Sequence, residues 1–180
     1  SFIVVCFVLS AALYLYFRQS NTKLIQSYTA DQLKQIRYTT DLLFENAKSV
    51  LIDYSTNYNS IMLMYNDNIS ELDLYKTLRN INSSMQNKPY KYYTYFYNSK
   101  ADHIYYQRQV FNISQFPDED IVQRLNEKPY KKLHPIARKV PDFDHYPLKS
   151  EIQTEVYSFF YYDGEPEKIE NAIVLNIPTD

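Results

Sequence analysis

The sequence predicts an α+β fold in which a long N-terminal helix packs on an antiparallel sheet, and three observations predict it. No proline or glycine occurs before Pro89, so nothing breaks a helix over the first half of the chain. From Leu33 to Ile61 apolar residues recur at steps of three and four, the period of one helix face. Beyond Pro89 the period becomes two, in segments rich in tyrosine, phenylalanine and valine separated by polar turn formers. That is the pattern of half-buried strands.

The opening run, SFIVVCFVLSAALYLYF, carries no charge before Arg18. It is slightly shorter than the ~20 residues that cross a bilayer, and the missing initiator Met is read as the loss of a preceding part. Tyr14 and Tyr16 stand where an aromatic belt would lie, and no A-x-A cleavage site interrupts the helical pattern. Residues 1–18 are therefore expected to form an uncleaved transmembrane helix, with 19–180 an extracellular domain. The helix should run on through Leu33, Ile36, Thr40, Leu43, Ala47, Val50, Tyr54 and Ile61, with Asn57 the one polar residue in step. At 1.5 Å per residue that is about 60 Å. So narrow a stripe suits a domain face or a second copy of itself, and a homodimer is expected.

A second helix should follow Asn66-Asp67-Asn68. Ser70 and Asp73 resemble a capping box, Leu74, Leu78, Ile81 and Met85 repeat at helical spacing, and Asn87-Lys88-Pro89 ends the element. Tyr92 to Tyr97 alternates as a strand, 98–102 forms a turn and His103 to Val110 returns. Pro117, then Asp118, Glu119 and Asp120, opens a short helix with acids at its positive end. Residues 127–150, with Pro129, Pro135, Pro141 and Pro147, are expected to be an irregular loop. Thr154 to Tyr162 and Asn171 to Ile177 should pair as a second hairpin across DGEPEK.

Composition excludes several classes of function. A formal net charge of −2 gives this segment no electrostatic footprint for nucleic acid. One glycine, Gly164, rules out the glycine-rich loops that cradle phosphates and dinucleotides. One cysteine, Cys6, rules out an intrachain disulfide. No Ser-His-Asp order, HExxH or paired-carboxylate arrangement stands out, so no catalysis is expected. Asp142, Asp144 and His145 in DFDHYP do not make a convergent ligand set, and neither metal nor cofactor is expected.

What remains is binding. Tyr93, Tyr95 and Tyr97 share one face of their strand, Tyr106 lies on the returning strand, and Tyr157 and Tyr161 share a face with Phe159. Tyrosine offers a broad apolar ring with one hydroxyl, suited to orienting a polar organic molecule. In KPYKKLHPIARK, Arg138 lies between apolar neighbours and is the cation best placed to point inward and hold a carboxylate or phosphate. The long helix should cover one face of the sheet, and the short helix and proline-rich loop the other, leaving a hollow for a small ligand, anionic or sugar-like.

A membrane helix running into a long helix, then YYTYFYNSKADHIYYQ, a loop, VYSFFYYD and the closing strand AIVLNIP, resembles the extracellular Cache domains of bacterial receptors. The likeness is closest to the PAS-like sensor regions of membrane-anchored AraC-type transcription regulators and sensor histidine kinases of Gram-positive bacteria. It covers nearly the whole chain as an architectural pattern. It implies a small-molecule sensor outside the membrane, in a two-component or AraC-type system, with any DNA contact left to an output domain beyond Asp180. It also implies that an arginine in the loop, here Arg138, faces the ligand. Members that recognise amino acids use a tryptophan as well, and this chain has none, so that motif is not met. The competing expectation is a membrane-anchored surface binding or adhesion domain with no signalling output.

Overall fold

The computed structural model describes residues 2–86, 91–127, 131–141, 153–163 and 168–179. They divide into two units, Ser1–Glu45 and Asn46–Asp180. The first unit is the larger part of helix α1, Phe2–Thr56, and its described side chains as far as Thr39 are exposed. Leu24, Ile25, Tyr28, Leu33, Ile36 and Tyr38 are among them. Among the described residues no helix is long and apolar enough to cross a membrane. The uncharged run stops at Arg18, and Gln19, Ser20 and Asn21 follow at once.

The second unit begins with the last turns of α1, which bury Ala47, Val50, Leu51 and Tyr54. The helix then stops, where the sequence pattern had continued to Ile61. Asn57 adopts an extended backbone (φ −76°, ψ 131°), and its side chain accepts a hydrogen bond from Asn59 N, capping a separate helix α2, Tyr58–Tyr65. The polar residue standing in the apolar series is thus a helix cap, the role for which asparagine is favoured. Helix α3, Glu71–Gln86, starts as expected: the Asp73 amide donates to Ser70 Oγ and that hydroxyl donates to Asp73 Oδ2.

Among the described residues six antiparallel strands form one sheet in the order β3-β2-β1-β6-β5-β4. They are β1 Tyr93–Asn98, β2 His103–Tyr106, β3 Gln109–Asn112, β4 Ile136–Pro141, β5 Gln153–Tyr161 and β6 Asn171–Pro178. Two of these correct the sequence expectation. The single returning strand 103–110 is a tight hairpin, β2 and β3, turned at Gln107 with φ 51°. The expected irregular loop contains β4, paired along its length with β5. Between β3 and β4 come a 3-10 turn, Ile113–Gln115, and helix α4, Glu119–Asn126.

Paired residues project to the same side of a sheet, so the register assigns the faces. Phe96, Ile173 and Tyr161 align on one side, with Leu175 and Phe159 beside them. This face meets the helical layer: the Tyr54 ring stands edge-on to Phe96 at 6.0 Å, and α2 packs on β1 and β6. Tyr95, Val174 and Phe160 align on the opposite side and join Tyr97, Tyr106, Phe116, Ile121 and Leu125 in a buried cluster under α4.

One side chain fastens the helical layer to the sheet. Asn98, 1% exposed, donates from Nδ2 to Leu63 O and Asn66 O at the end of α2, both at 3.1 Å, while its Oδ1 accepts from Ala101 N in the β1–β2 turn. The amide of its cross-strand partner Asn171 lies against Met64 O and, with its nitrogen turned to that carbonyl, donates to it. Asn98→Ala leaves these buried groups unmet and should cost about 2–3 kcal/mol of stability, read as a lower urea midpoint with unchanged slope.

Candidate functional site

Five of the seven sequence-derived candidates lie on the α4 face, and a buried polar row crosses it. β4 alternates, so Ile136, Arg138 and Val140 point inward while Ala137 and Lys139 point to the other side. Arg138 lies near the Ile136, Ser158, Asn176 and Tyr93 row defined by the register. Its Nε donates to Ser158 Oγ at 2.6 Å and its Nη2 to Asn176 Oδ1 at 3.1 Å. Nη1 donates to Asp118 Oδ1 at 2.7 Å and reaches Asp120 Oδ2 at 3.5 Å. The Ser158 hydroxyl donates to Asn176 Oδ1 at 2.5 Å, and Asn176 Nδ2 donates to Tyr93 O at 3.3 Å.

The charges in this row are almost wholly removed from water. The Arg138 and Asp118 side chains are 3% and 1% exposed. Asp118 also caps α4, its Oδ1 accepting from Ile121 N at 3.2 Å. One carboxylate oxygen therefore fixes both the guanidinium and the first turn of the helix. The Tyr95 hydroxyl lies beside the same carboxylate. Burial first, and then the negative charge of Asp118, push the Tyr95 phenol well above its ordinary pKa. The Arg138 pKa is raised although burial, its largest influence, lowers it; the Asp118 hydrogen bond and charge, with Tyr95 and Asp120, outweigh that.

The sequence candidates separate into two groups. Tyr93, Tyr95, Tyr97, Tyr106 and Arg138 share the α4 face. Tyr95, Tyr97 and Tyr106 are core residues there, with Tyr95 edge-on to Phe116 at 5.0 Å and to Tyr106 at 5.5 Å. Tyr93 is half-buried, with Lys91 Nζ 4.9 Å from its ring centre. Tyr157 and Tyr161 project from the other face of β5. Tyr157 lines a groove of about 270 Å3 with Ala137, Arg138, Lys139, Glu155, Val156 and Thr179. Tyr161 donates to Asp163 Oδ1 at 3.1 Å.

Beside Asp163 lies a second recess of about 360 Å3, lined by Tyr65, Asp163, Lys168, Glu170 and Asn171. Tyr65 donates to Asp163 Oδ2, and burial together with that carboxylate raises the Tyr65 pKa. Under α4, by contrast, the described residues fill the space expected to be hollow: Tyr95, Tyr97, Phe116, Ile121, Leu125 and Phe160 are each at most 3% exposed. The segment holding Asp142, Asp144 and His145 lies outside the described residues. Among those described, no group of acidic, histidine and cysteine side chains could hold a metal ion.

Sequence reasoning missed the partners of Arg138. Ser158 and Asn176 are the polar interruptions of the apolar strands VYSFFY and AIVLNIP, and a polar residue at an inward position of such a strand was the available signal. Asp118 is recognisable as a helix cap but not as a counter-ion.

Compared with known proteins, the chain matches no family model, no curated protein and no solved structure.

Proposed function

We propose that this chain is the extracytoplasmic small-molecule sensing part of a bacterial transmembrane receptor that regulates transcription, of the Cache type found in AraC-type regulators and sensor histidine kinases. Residues 2–17 would form the membrane anchor and residues 19–180 would lie outside. The observation that carries this reading is the course of α1. The helix bearing the uncharged run ends with Ala47, Val50, Leu51 and Tyr54 in the core of the sheet unit. A shift in that core would therefore act on the last turns of α1. A ligand with different affinities for two arrangements of the unit supplies the free energy of such a shift.

The proposed ligand is a small polar molecule, anionic or sugar-like, held on the α4 side near Tyr93 and Arg138. Because the guanidinium is already paired with Asp118, an anion would have to displace that carboxylate to reach it. The exposed Leu33 and Ile36 on α1 would form the seam of a homodimer. Ile36→Lys should then convert dimer to monomer in sedimentation.

The test of sensing is a thermal-shift screen of the detergent-solubilised chain against sugars, organic acids and amino acids. A ligand at 100 times its Kd adds about 2.7 kcal/mol, and each kcal/mol raises Tm by roughly 2–4 °C at this size. Tyr93→Ala should abolish the shift. A screen with no shift favours the second reading, an anchored surface binding or adhesion domain without signalling output. The solid packing beneath α4 is the observation on that side.

A further inference from the structure

We infer that Asn57 is a hinge, and that α2 is a lever able to leave the sheet and continue α1 as one straight helix. This holds whether or not the unit senses a ligand. The three-four spacing carries across the polar Asn57 to the apolar Ile61, so the sequence offers both a continued helix face and a cap at this point, and the structure uses the cap. Two such local signals at one point mark a site where two conformations compete.

The break is made by weak, local devices. Ser55 Oγ donates to Ile52 O, and Thr56 Oγ1 reaches Ile52 O and Asp53 O. Such back-bonding by serine and threonine bends helices. Asn57 N donates to Tyr54 O at 3.1 Å, tightening the last turn, and Asn57 Oδ1 caps α2. No proline or glycine enforces the corner. The bent state also leaves a cost in place: Ser60 in the first turn of α2 is 0% exposed, and its hydroxyl has no hydrogen-bond partner among the described residues. A straight helix would offer that hydroxyl the Thr56 carbonyl four residues back.

What holds α2 down lies at its other end. Asn98 and Asn171 grip the carbonyls of Leu63, Met64 and Asn66, Tyr65 is bonded to Asp163, and Leu63 and Met64 are buried. The bent state is therefore the major one, and loosening these contacts is what would release the lever.

The test reads the backbone of residue 57 directly, by carbon chemical shifts and relaxation dispersion on the full chain. Wild type should show an extended residue 57, with exchange over 57–61 to a minor helical form. Asn57→Ala removes the cap and adds helix propensity, and should raise the helical population about tenfold. Tyr58→Pro places proline at the first position of α2, where it is tolerated, and forbids the straight helix; the exchange should vanish while the fold persists. Ser60→Ala removes the unpartnered hydroxyl and should raise Tm and reduce the exchange, which keeps the question open to measurement if Asn57→Ala folds poorly. An extended residue 57 in every variant, with no exchange in wild type, would show the corner to be fixed and overturn the inference.

Discussion

Arg138→Met should lower the unfolding free energy by about 3–5 kcal/mol at neutral pH, because removing one member of a buried ion pair leaves the other charge uncompensated. The loss falls on Asp118, which would face the core without its guanidinium, and on Ser158 and Asn176, each of which loses a guanidinium donor. Asp118→Ala should be comparably damaging, since it strands the guanidinium and also uncaps α4. The informative variant is the double one, Asp118→Asn with Arg138→Met. Asparagine caps a helix about as well as aspartate, and the pair then carries no charge, so the double variant should be more stable than Arg138→Met alone. Urea midpoints of the wild type, two singles and double give the coupling. Additive losses would mean that the two side chains are stabilised by separate surroundings and not by each other.

This ion pair also marks where the sequence stopped being legible. Helix periodicity located α1 and α3, and the Ser70–Asp73 pairing located the start of α3, because those signals lie within a few residues of one another. The strand β4 was hidden for a physical reason: its inward position 138 carries a charge, Pro135 precedes it and Pro141 ends it, so its alternation does not look apolar. The β2–β3 turn was hidden because a glutamine, not a glycine, adopts the left-handed backbone at 107. Arg138 was identified as an inward cation, but its partners lie 20 and 38 residues away, on a helix cap and two strands that only the folded register brings together. The tyrosine face was read correctly as one side of β1. That it is packed and not hollow depends on how Phe116, Ile121 and Leu125 of the following segment seat on it, and their spacing does not encode that.

Buried tyrosines on both faces of the sheet make the protein vulnerable to alkali. Tyr54, Tyr95, Tyr97 and Tyr105 are buried, and burial is the main cause raising each phenol above its ordinary value of 10.0. In the unfolded chain these phenols ionise near pH 10, while the folded state keeps them neutral. Above that pH the unfolded state therefore releases more protons, and stability falls as pH rises; below it these four groups exert no pH dependence. Each contributes up to about 1.4 kcal/mol per pH unit between its unfolded and folded pKa. Cooperative unfolding should therefore set in as pH rises above 10, where the unfolded chain ionises phenols that the folded state keeps neutral. Ionisation of the buried phenols, followed by near-ultraviolet tyrosinate absorbance, should coincide with the loss of far-ultraviolet dichroism. Tyr95→Phe removes the phenol held beside Asp118 and should move the alkaline midpoint upward, even if the lost hydroxyl contact lowers stability at neutral pH by about 1 kcal/mol. A midpoint unchanged in that variant, or tyrosinate formed throughout the core before the dichroism falls, would mean that water already reaches the rings beneath α4, and the face would then be open enough to admit a ligand.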